Sequence, residues 1–489
     1  MKSAKFCVSL LVASSIVATA AFNCLADETS TVKVDASAGD ETVSVGNIDV
    51  TSGDGADVSA SGGYTATLTV DGNVVSNGDD GIEASAYDQG SVTVTVEGDI
   101  TAPNDDALFV DADNGSAVVT VNGDLIGEDG VFSYGESSGN ADVTINGDIT
   151  VTDDAVIIGS FGGGSASVTV DGDITARYYG IDIYSEDDGS SSSVSVDGDI
   201  LSNRYGIYLN NDDGGYSSVS VNGNIEADSM TIAMWVENGS TAVIDVTGNV
   251  TGNSVVNPAV SIWGYSGDTK STVVIDGDVN SAQIGVYAYL EQTDYLDMVV
   301  TGVISGAQVP ITVSNDSEYT DDNFTLTAWK IVPNSDGIIA DAREYYVEDY
   351  DPANEAVDFE KSINYIVKYD QPSEGGTISA KAADGSALTQ YGGYDTARET
   401  HSIILSADLE DGYEIAAAYN GEAKTPLSKD DDGNYVLEVE RGGGIVLSVD
   451  LQRVTSAQTG EGGYSYLVGA VILLAGGCVA LTKIRKKEA

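Results

Sequence analysis

A repeat of about 25 residues limits the folds open to this chain more than any other feature. Residues 91–100, 167–174 and 193–200 share a run in which Val alternates with Ser or Thr and is followed by Gly-Asp-Ile. The glycines that anchor the copies follow one another at intervals of 24 to 29 residues, at Gly46, Gly72, Gly98, Gly123, Gly147, Gly172, Gly198, Gly223, Gly248, Gly277 and Gly302. Self-similarity at such a period indicates a solenoid of stacked structural units.

Each repeat predicts two or three short strands. Positions −4, −2 and +2 relative to the glycine are aliphatic, as in Val94, Val96 and Ile100, whereas positions −3 and −1 are polar. This alternation buries one face of a strand. Asp or Asn beside the glycine predicts a tight turn, because glycine tolerates positive φ. A further strand opens at a small residue about eight residues later, as at 180–184. We therefore predict an all-β parallel β-helix of about eleven coils, stacked at about 4.8 Å per coil.

Composition and charge exclude nucleic acid as a partner, a disordered chain and a disulfide framework. The 489 residues include 78 acidic and 20 basic side chains, which gives a formal net charge of −58. Such a charge makes nucleic acid a very poor partner. A hydrophobic content of 42% is too high for a disordered acidic chain. The three cysteines, Cys7, Cys24 and Cys478, lie in the terminal apolar segments, so no disulfide framework is predicted for the rest of the chain.

The two ends of the chain indicate export and anchoring. Lys2 and Lys5 precede a run of small and apolar residues that ends before Asp27, which is typical of a secretory signal. An apolar run near the C-terminus is followed by Lys483, Arg485, Lys486 and Lys487, as in a stop-transfer segment. The predicted organisation is a signal peptide (1–26), the β-helix (27–305), a cap or connector (306–361), a small β-rich domain (362–452), a linker (453–465), a transmembrane helix (466–482) and a basic cytoplasmic tail (483–489).

Residues 362–452 carry short sequence markers of a known module. These are Glu-Gly-Gly-Thr-Ile at 374–378, Asp-Gly-Tyr-Glu-Ile at 411–415 and Gly-Asn-Tyr-Val-Leu-Glu-Val at 433–439. The segment resembles the bacterial repeat module of the divergent internalin B-repeat type, a small β-grasp-like unit of Gram-positive surface proteins. The resemblance implies a spacer or binding module in an adhesin-like protein.

The C-terminal tail resembles a degenerate cell-wall sorting signal. Ser-Ala-Gln-Thr-Gly-Glu at 456–461 stands before the apolar run and the basic end, where such signals carry their processing motif. The resemblance implies cleavage between Thr459 and Gly460 and attachment to peptidoglycan. The alternative is a plain membrane anchor through the C-terminal helix. Either way, we predict an exported protein held at the cytoplasmic membrane or cell wall of a Gram-positive bacterium.

An aromatic stripe is the main candidate binding surface. We number the later strand from the small residue that opens it. At position +4 on this count, the repeats carry Tyr134, Tyr184, Trp235, Trp263 and Tyr289. Stacked coils would align these rings along one outer face, where they could bind an extracellular glycan or protein. The alternative is that the rings only stabilise packing between coils.

Charged residues give two further candidates. Arg177 and Arg204, in adjacent coils, could bind an anionic sugar or neutralise neighbouring acids. The acids beside the repeat glycine could form a row of calcium sites or only a ladder of turns. The acids considered for calcium are Asp171, Asp173, Asp197 and Asp199.

No catalytic residue is predicted. The single histidine, His401, lies outside the repeats, so a Ser-His-Asp triad cannot form on the solenoid. The sequence therefore favours a non-catalytic structural or adhesion protein. The alternatives are a polysaccharide-degrading β-helix lyase or glycosidase, and a self-assembling surface-layer rod.

Overall fold

The chain folds into an all-β parallel β-helix of about twelve turns. A computed structural model describes residues 26–291, 293–314, 323–342, 360 and 362–454. The solenoid predicted from the repeat is confirmed. Phe324–Ile331 and Ala340–Ala342 continue the parallel ladders beyond residue 305 and supply a turn that lacks the repeat glycine.

Three parallel sheets run along the solenoid. Sheet 1, before each glycine, contains Glu41–Val45, Thr65–Val70, Ser91–Val96, Ser116–Val121, Asn140–Ile145, Ser165–Val170, Ser191–Val196, Tyr216–Val221, Thr241–Val246, Lys270–Ile275, the first part of Tyr295–Gly306, and Phe324–Ile331. Sheet 2, after each glycine, contains Ile48–Val50, Val74–Ser76, the starts of Ile100–Asp113 and Leu125–Glu136, Ile149–Val151, Ile174–Ala176, Ile200–Ser202, Ile225–Ala227, Val250–Gly252, Val279–Ser281, and the end of Tyr295–Gly306. Sheet 3 contains Val32–Ala36, Ala56–Ala60, Ile82–Tyr87, the later parts of Ile100–Asp113 and Leu125–Glu136, Val156–Phe161, Tyr179–Glu186, Tyr205–Asp212, Met230–Glu237, Val260–Tyr265, Ile284–Leu290, Val309–Val313 and Ala340–Ala342.

The core is built from columns of aliphatic side chains that repeat from coil to coil. In sheet 1, Val94 stacks on Val119, and in sheet 2, Ile174 stacks on Ile200. All four side chains are at most 1% exposed. Burying a Val or Ile side chain contributes about 1.5–3 kcal/mol, and only neighbouring coils can supply the burial.

The repeat glycines are required for close approach between coils rather than for their φ angles. Only Gly248 among them has a positive φ, at 158°. A Cβ at Gly198 would overlap the carbonyl oxygen of Gly172 in the preceding coil, and a Cβ at Gly223 would overlap that of Gly198. The positive φ expected from the sequence is therefore wrong at ten of the eleven glycines. Glycine is needed at these positions because the backbones of successive coils stack closely at the corner, which leaves no room for a Cβ.

Gly198→Ala is expected to lower the free energy of unfolding by about 1–3 kcal/mol, because the added methyl group must push two coils apart. The measurement is urea unfolding followed by circular dichroism. Gly39→Ala is the matched control, since a Cβ there meets no atom within 4 Å. Equal unfolding free energies for the two variants would show that the corner can relax without cost.

The C-terminal strands pack on the last coil. They are Asn364–Asp370, Gly376–Ala382, Thr389–Tyr391, Tyr394–Ala397, Ser402–Leu409, Tyr413–Asn420, Thr425–Pro426, Ser428–Lys429, Tyr435–Glu438 and Ile445–Arg453. Asn364 pairs in parallel with Thr327, and the indole Nε1 of Trp329 donates a hydrogen bond to the carbonyl oxygen of Ile445 (3.2 Å). Tyr365 is buried at this junction. The domain boundaries and the β-grasp-like module stay sequence-based predictions.

Candidate functional site

The outer face of sheet 3 carries a continuous row of aromatic rings. The register places Trp235 beside Trp263 and Trp263 beside Tyr289 on successive coils. Ring contacts connect five residues, which we call the aromatic row: Tyr184, Tyr208, Trp235, Trp263 and Tyr287. The centroid distances along the row are 6.3, 4.9, 4.3 and 5.6 Å. The row spans five coils.

The members of the aromatic row differ in exposure. The Trp235 and Trp263 rings are nearly parallel, at 12°. Trp263 and Tyr287 are only 2% exposed and pack with Met230 and other apolar side chains. Trp235 remains half-buried at the edge of this cluster. Trp263 is therefore enclosed by its neighbours, and its own ring cannot form an open binding surface.

The predicted column at position +4 is present but interrupted. Along sheet 3, Tyr134 aligns with Gly159, which aligns with Tyr184. Asn210 then separates Tyr184 from Trp235. Tyr134, Tyr184, Trp235 and Tyr289 are all half-buried. A second group of ring contacts lies toward the N-terminus and joins Phe109, Phe132, Tyr134 and Phe161. Their role in binding stays a prediction.

Arg177 and Arg204 lie over tyrosine rings on the same face. The Arg204 guanidinium carbon is 5.2 Å from the Tyr205 ring centroid and 5.9 Å from those of Tyr178 and Tyr179. Arg177 lies 5.2 Å from the Tyr178 centroid. Contacts of this length are typical of cation–π interactions. Arg204 also lowers the pKa of Asp154, which partly offsets the effect of that residue's burial.

A column of acids runs along the corner where sheet 2 turns into sheet 3. Each acid precedes the small residue that opens the sheet 3 strand. We call the set the acidic corner: Asp54, Asp80, Asp106, Asp129 and Asp154. The backbone N–H groups of Gly55 and Gly81 donate to the carbonyl oxygens of Asp80 and Asp106, both at 2.9 Å. These backbone bonds hold the acids one coil apart. This column is not among the sites predicted from the sequence.

Burial and mutual repulsion shift the pKa values of the acidic corner upward. Burial, followed by repulsion from Asp106, raises the pKa of Asp80 to about 8. The pKa of Asp106 rises to about 7 and that of Asp154 to about 6, again chiefly through burial. The pKa values of Asp54 and Asp129 are also raised. Backbone N–H donors oppose the shift, as when Tyr179 donates to Asp154 Oδ1 (3.0 Å).

Two groups of carboxylates at this corner have the proximity that a metal ion needs. Asp80 belongs to both, once with Asp54 and Glu83 and once with Asp79 and Asp105, with ligand oxygens within 4.8 Å of one another. Carboxylate oxygens suit a hard cation such as Ca²⁺, and all of these acids except the exposed Asp79 are partly buried. Among the described residues, these groups do not include the four acids considered for calcium from the sequence.

The acids beside the repeat glycines act as a turn ladder. Asp173 Oδ1 accepts the backbone N–H of Asp199 (2.8 Å), and Asp199 Oδ1 accepts that of Asn224 (2.6 Å). On the other side of the glycine, Asp197 Oδ1 accepts a bond from the Asn222 amide (2.7 Å). Such bonds satisfy backbone groups in every coil. Calcium binding by Asp171, Asp173, Asp197 and Asp199 stays a prediction.

A buried carboxyl lies between the acidic corner and the aromatic row. Asp182 faces outward from sheet 3 yet is only 5% exposed. Its Oδ2 accepts a hydrogen bond from the Tyr184 hydroxyl (3.1 Å), whereas its Oδ1 is buried with no hydrogen-bond partner. An unsatisfied buried polar atom costs about 1–3 kcal/mol. Burial raises the pKa of Asp182 to about 7. The sequence pattern gave no sign of this burial.

The predicted anchor lies beyond the part of the chain that the structure describes. Thr459, Gly460 and residues 466–482 all fall outside the described residues, as does most of the signal peptide. Within the described ranges, no helix has the length and apolar character needed to cross a membrane.

Comparisons with protein-family models, curated proteins and solved structures gave no match. The parallel β-helix is therefore shown by the structure itself, whereas the resemblance to internalin-type and adhesin-like surface proteins stays a sequence-based prediction.

Proposed function

We propose that this protein is an exported, C-terminally anchored surface protein whose β-helix binds an extracellular glycan without cleaving it. The fold is consistent with surface adhesins and with polysaccharide-active proteins. A stack of coils forms a stiff rod, and the strong negative charge keeps such a rod soluble and apart from its neighbours. These properties suit a protein that presents one long face away from the cell.

The aromatic row on the outer face of sheet 3 carries the proposal. The core of the solenoid is aliphatic, and the outer face of sheet 1 consists largely of Ser and Thr, as in Ser191–Val196. Large rings are thus concentrated on one outer face. Tyr184, Tyr208 and Trp235 present half-buried ring edges and polar groups along adjacent coils. Side chains that combine an apolar body with a polar tip suit sugars, which have both kinds of surface.

Trp235→Ala is expected to weaken glycan binding about tenfold, because a half-buried ring at the centre of a contact surface contributes strongly to affinity. The measurement is a glycan array followed by isothermal titration with the best hit, using the full-length protein in mild detergent. Tyr216→Ala is the matched control, since it removes an exposed ring from sheet 1.

The outcomes separate the two roles of the rings. Loss of binding in Trp235→Ala alone supports the aromatic row as the binding face. Binding that falls equally in both variants, or a blank array, contradicts the proposal and leaves the rings as packing between coils.

A polysaccharide-degrading enzyme is the second candidate, because Asp154 and Asp182 have pKa values raised to about 6 and about 7. A glycosidase needs a carboxylic acid that stays protonated near neutral pH and a second carboxylate across the bond. Release of reducing ends from a bound glycan, abolished in Asp154→Asn, would establish this function in place of simple binding.

A further inference from the structure

Asp182 has an oxygen that nothing in the described part of the chain satisfies. The residue stands in the outward column of sheet 3, between Ile157 and Tyr208 of the neighbouring coils. Tyr184 binds its Oδ2, and Oδ1 is buried without a partner. No basic side chain of the described residues forms an ion pair with it.

The surroundings of Asp182 are aromatic and acidic. The Tyr208 ring lies 6.3 Å from the Tyr184 ring and 5.4 Å from the Tyr179 ring, measured between centroids. The charged neighbour that acts on Asp182 is Asp154, which raises its pKa further. A carboxyl among tyrosine rings with a second acid nearby provides two attractions for a cation, one to the carboxylates and one to the ring faces.

The same face already holds one cation in this way. Arg204 lies over the rings of Tyr178, Tyr179 and Tyr205, and its charge acts on Asp154. These tyrosine rings therefore accept a positive charge at the end of the acidic corner. A buried carboxylate without a cation must hold a proton or gain a partner from outside.

We propose that Asp182, assisted by Asp154, is the subsite that binds a protonated primary amine of the ligand, so that the glycan bound by the sheet 3 face is an amino-sugar polymer. This inference rests on the proposed glycan binding. An ammonium group offers three N–H donors, which suits the free Oδ1 of Asp182, and the negative charge of Asp154 adds to the attraction. Such bonds between charged groups are the stronger class of hydrogen bond.

Tyr184 controls access to this subsite. Its ring is half-buried, and its neighbours in the column are Gly159 and Asn210. It contacts one ring of the aromatic row, that of Tyr208, whereas Trp263 lies between the rings of Trp235 and Tyr287. Side-chain rotation of Tyr184 would break its bond to Asp182 and uncover the carboxyl. The amine then replaces the tyrosine hydroxyl as the hydrogen-bond donor.

The test compares oligomers of glucosamine with oligomers of N-acetylglucosamine, titrated into the full-length protein in mild detergent. The two probes differ in whether the nitrogen is charged. We expect glucosamine oligomers to bind at least about tenfold more tightly. Asp182→Asn, which keeps the shape but removes the charge, is expected to abolish this preference, and Asp154→Asn to reduce it severalfold. Trp235→Ala is expected to weaken both probes alike.

The net charge of the chain requires a matched control, because any polyanion attracts a polyamine. Asp188→Asn removes the same charge from an exposed position in the same coil and is expected to leave the preference unchanged, at physiological and at high salt. A preference that survives in Asp182→Asn and Asp154→Asn, or that falls equally in Asp188→Asn, overturns the amine subsite. If the acetylated oligomer binds equally well and still depends on Trp235, the amine subsite is wrong and the proposed glycan binding stands. If neither oligomer binds, both proposals fail for this class of glycan.

Discussion

At pH 8 the protein is expected to unfold at a temperature roughly 5 to 10 °C lower than at pH 5.5, in the presence of a chelator. The cause is the acidic corner together with Asp182. In the folded chain the pKa is raised to about 8 for Asp80, about 7 for Asp106 and Asp182, and about 6 for Asp154. Unfolding exposes these carboxyls to water, where the ordinary value is 3.8.

The direction of the effect follows from where the protons are held. Between about pH 4 and pH 8 the folded chain retains protons on these acids that the unfolded chain has already released. Rising pH therefore favours the unfolded state across this window. A shift of one pKa unit corresponds to at most about 1.4 kcal/mol, and partial exposure to solvent reduces that value for the acidic corner.

Asp80→Asn is expected to raise the unfolding temperature at pH 8 and to flatten its dependence on pH. An amide has the shape of the protonated acid, and its N–H groups can donate to the nearby carboxylates of Asp54 and Asp105. Asp71→Asn is the matched control, because Asp71 is exposed on the same coil. Thermal unfolding at several pH values gives the measurement. Identical pH profiles for the two variants would mean that the acidic corner relaxes enough to hold its charges without strain.

The architecture could be predicted because it follows from local patterns that recur. Alternation in runs such as Ser193–Val196 predicts which side chains are buried, and the constant period aligns them from coil to coil. The turn that includes Phe324–Ile331 was assigned to the cap or connector because it lacks the repeat glycine and the Asx residues that flank it in the other coils. There the backbone pairing of Leu326 with Met298 maintains the ladder without the sequence signal.

The acidic corner was missed because each of its acids, considered within its own repeat, resembles an ordinary residue of a solvated loop. Asp153 and Asp154, for example, form a pair of consecutive acids, which is typical of a solvated loop. Alignment on the small residue that opens each sheet 3 strand would have revealed an acid at the same position in five coils. Its partial burial could not be read from the sequence, because that burial is produced by side chains of the adjacent coils.

Trp263→Ala is expected to reduce the free energy of unfolding by about 3–5 kcal/mol, which is the usual cost of removing a buried Trp side chain. Trp263 is 2% exposed and stacks on Trp235 at 4.3 Å, so its loss leaves a cavity beside Met230 and Ile284. The measurement is urea unfolding. Trp235→Ala should cost less, because its ring is only half-buried.

Replacing Trp235 and Trp263 one at a time distinguishes the ring that binds glycan from the ring that packs between coils. The sequence alignment put both rings in one column and could not distinguish them, because their burial depends on neighbours such as Tyr287 and Val309. Below the unfolding transition of both variants, we expect Trp235→Ala to lose glycan affinity more strongly than Trp263→Ala, and Trp263→Ala to lose more stability. Tyr216→Ala on sheet 1 should change neither property appreciably. Equal losses of stability in the two tryptophan variants would contradict this division and would mean that the whole row is a packing ladder.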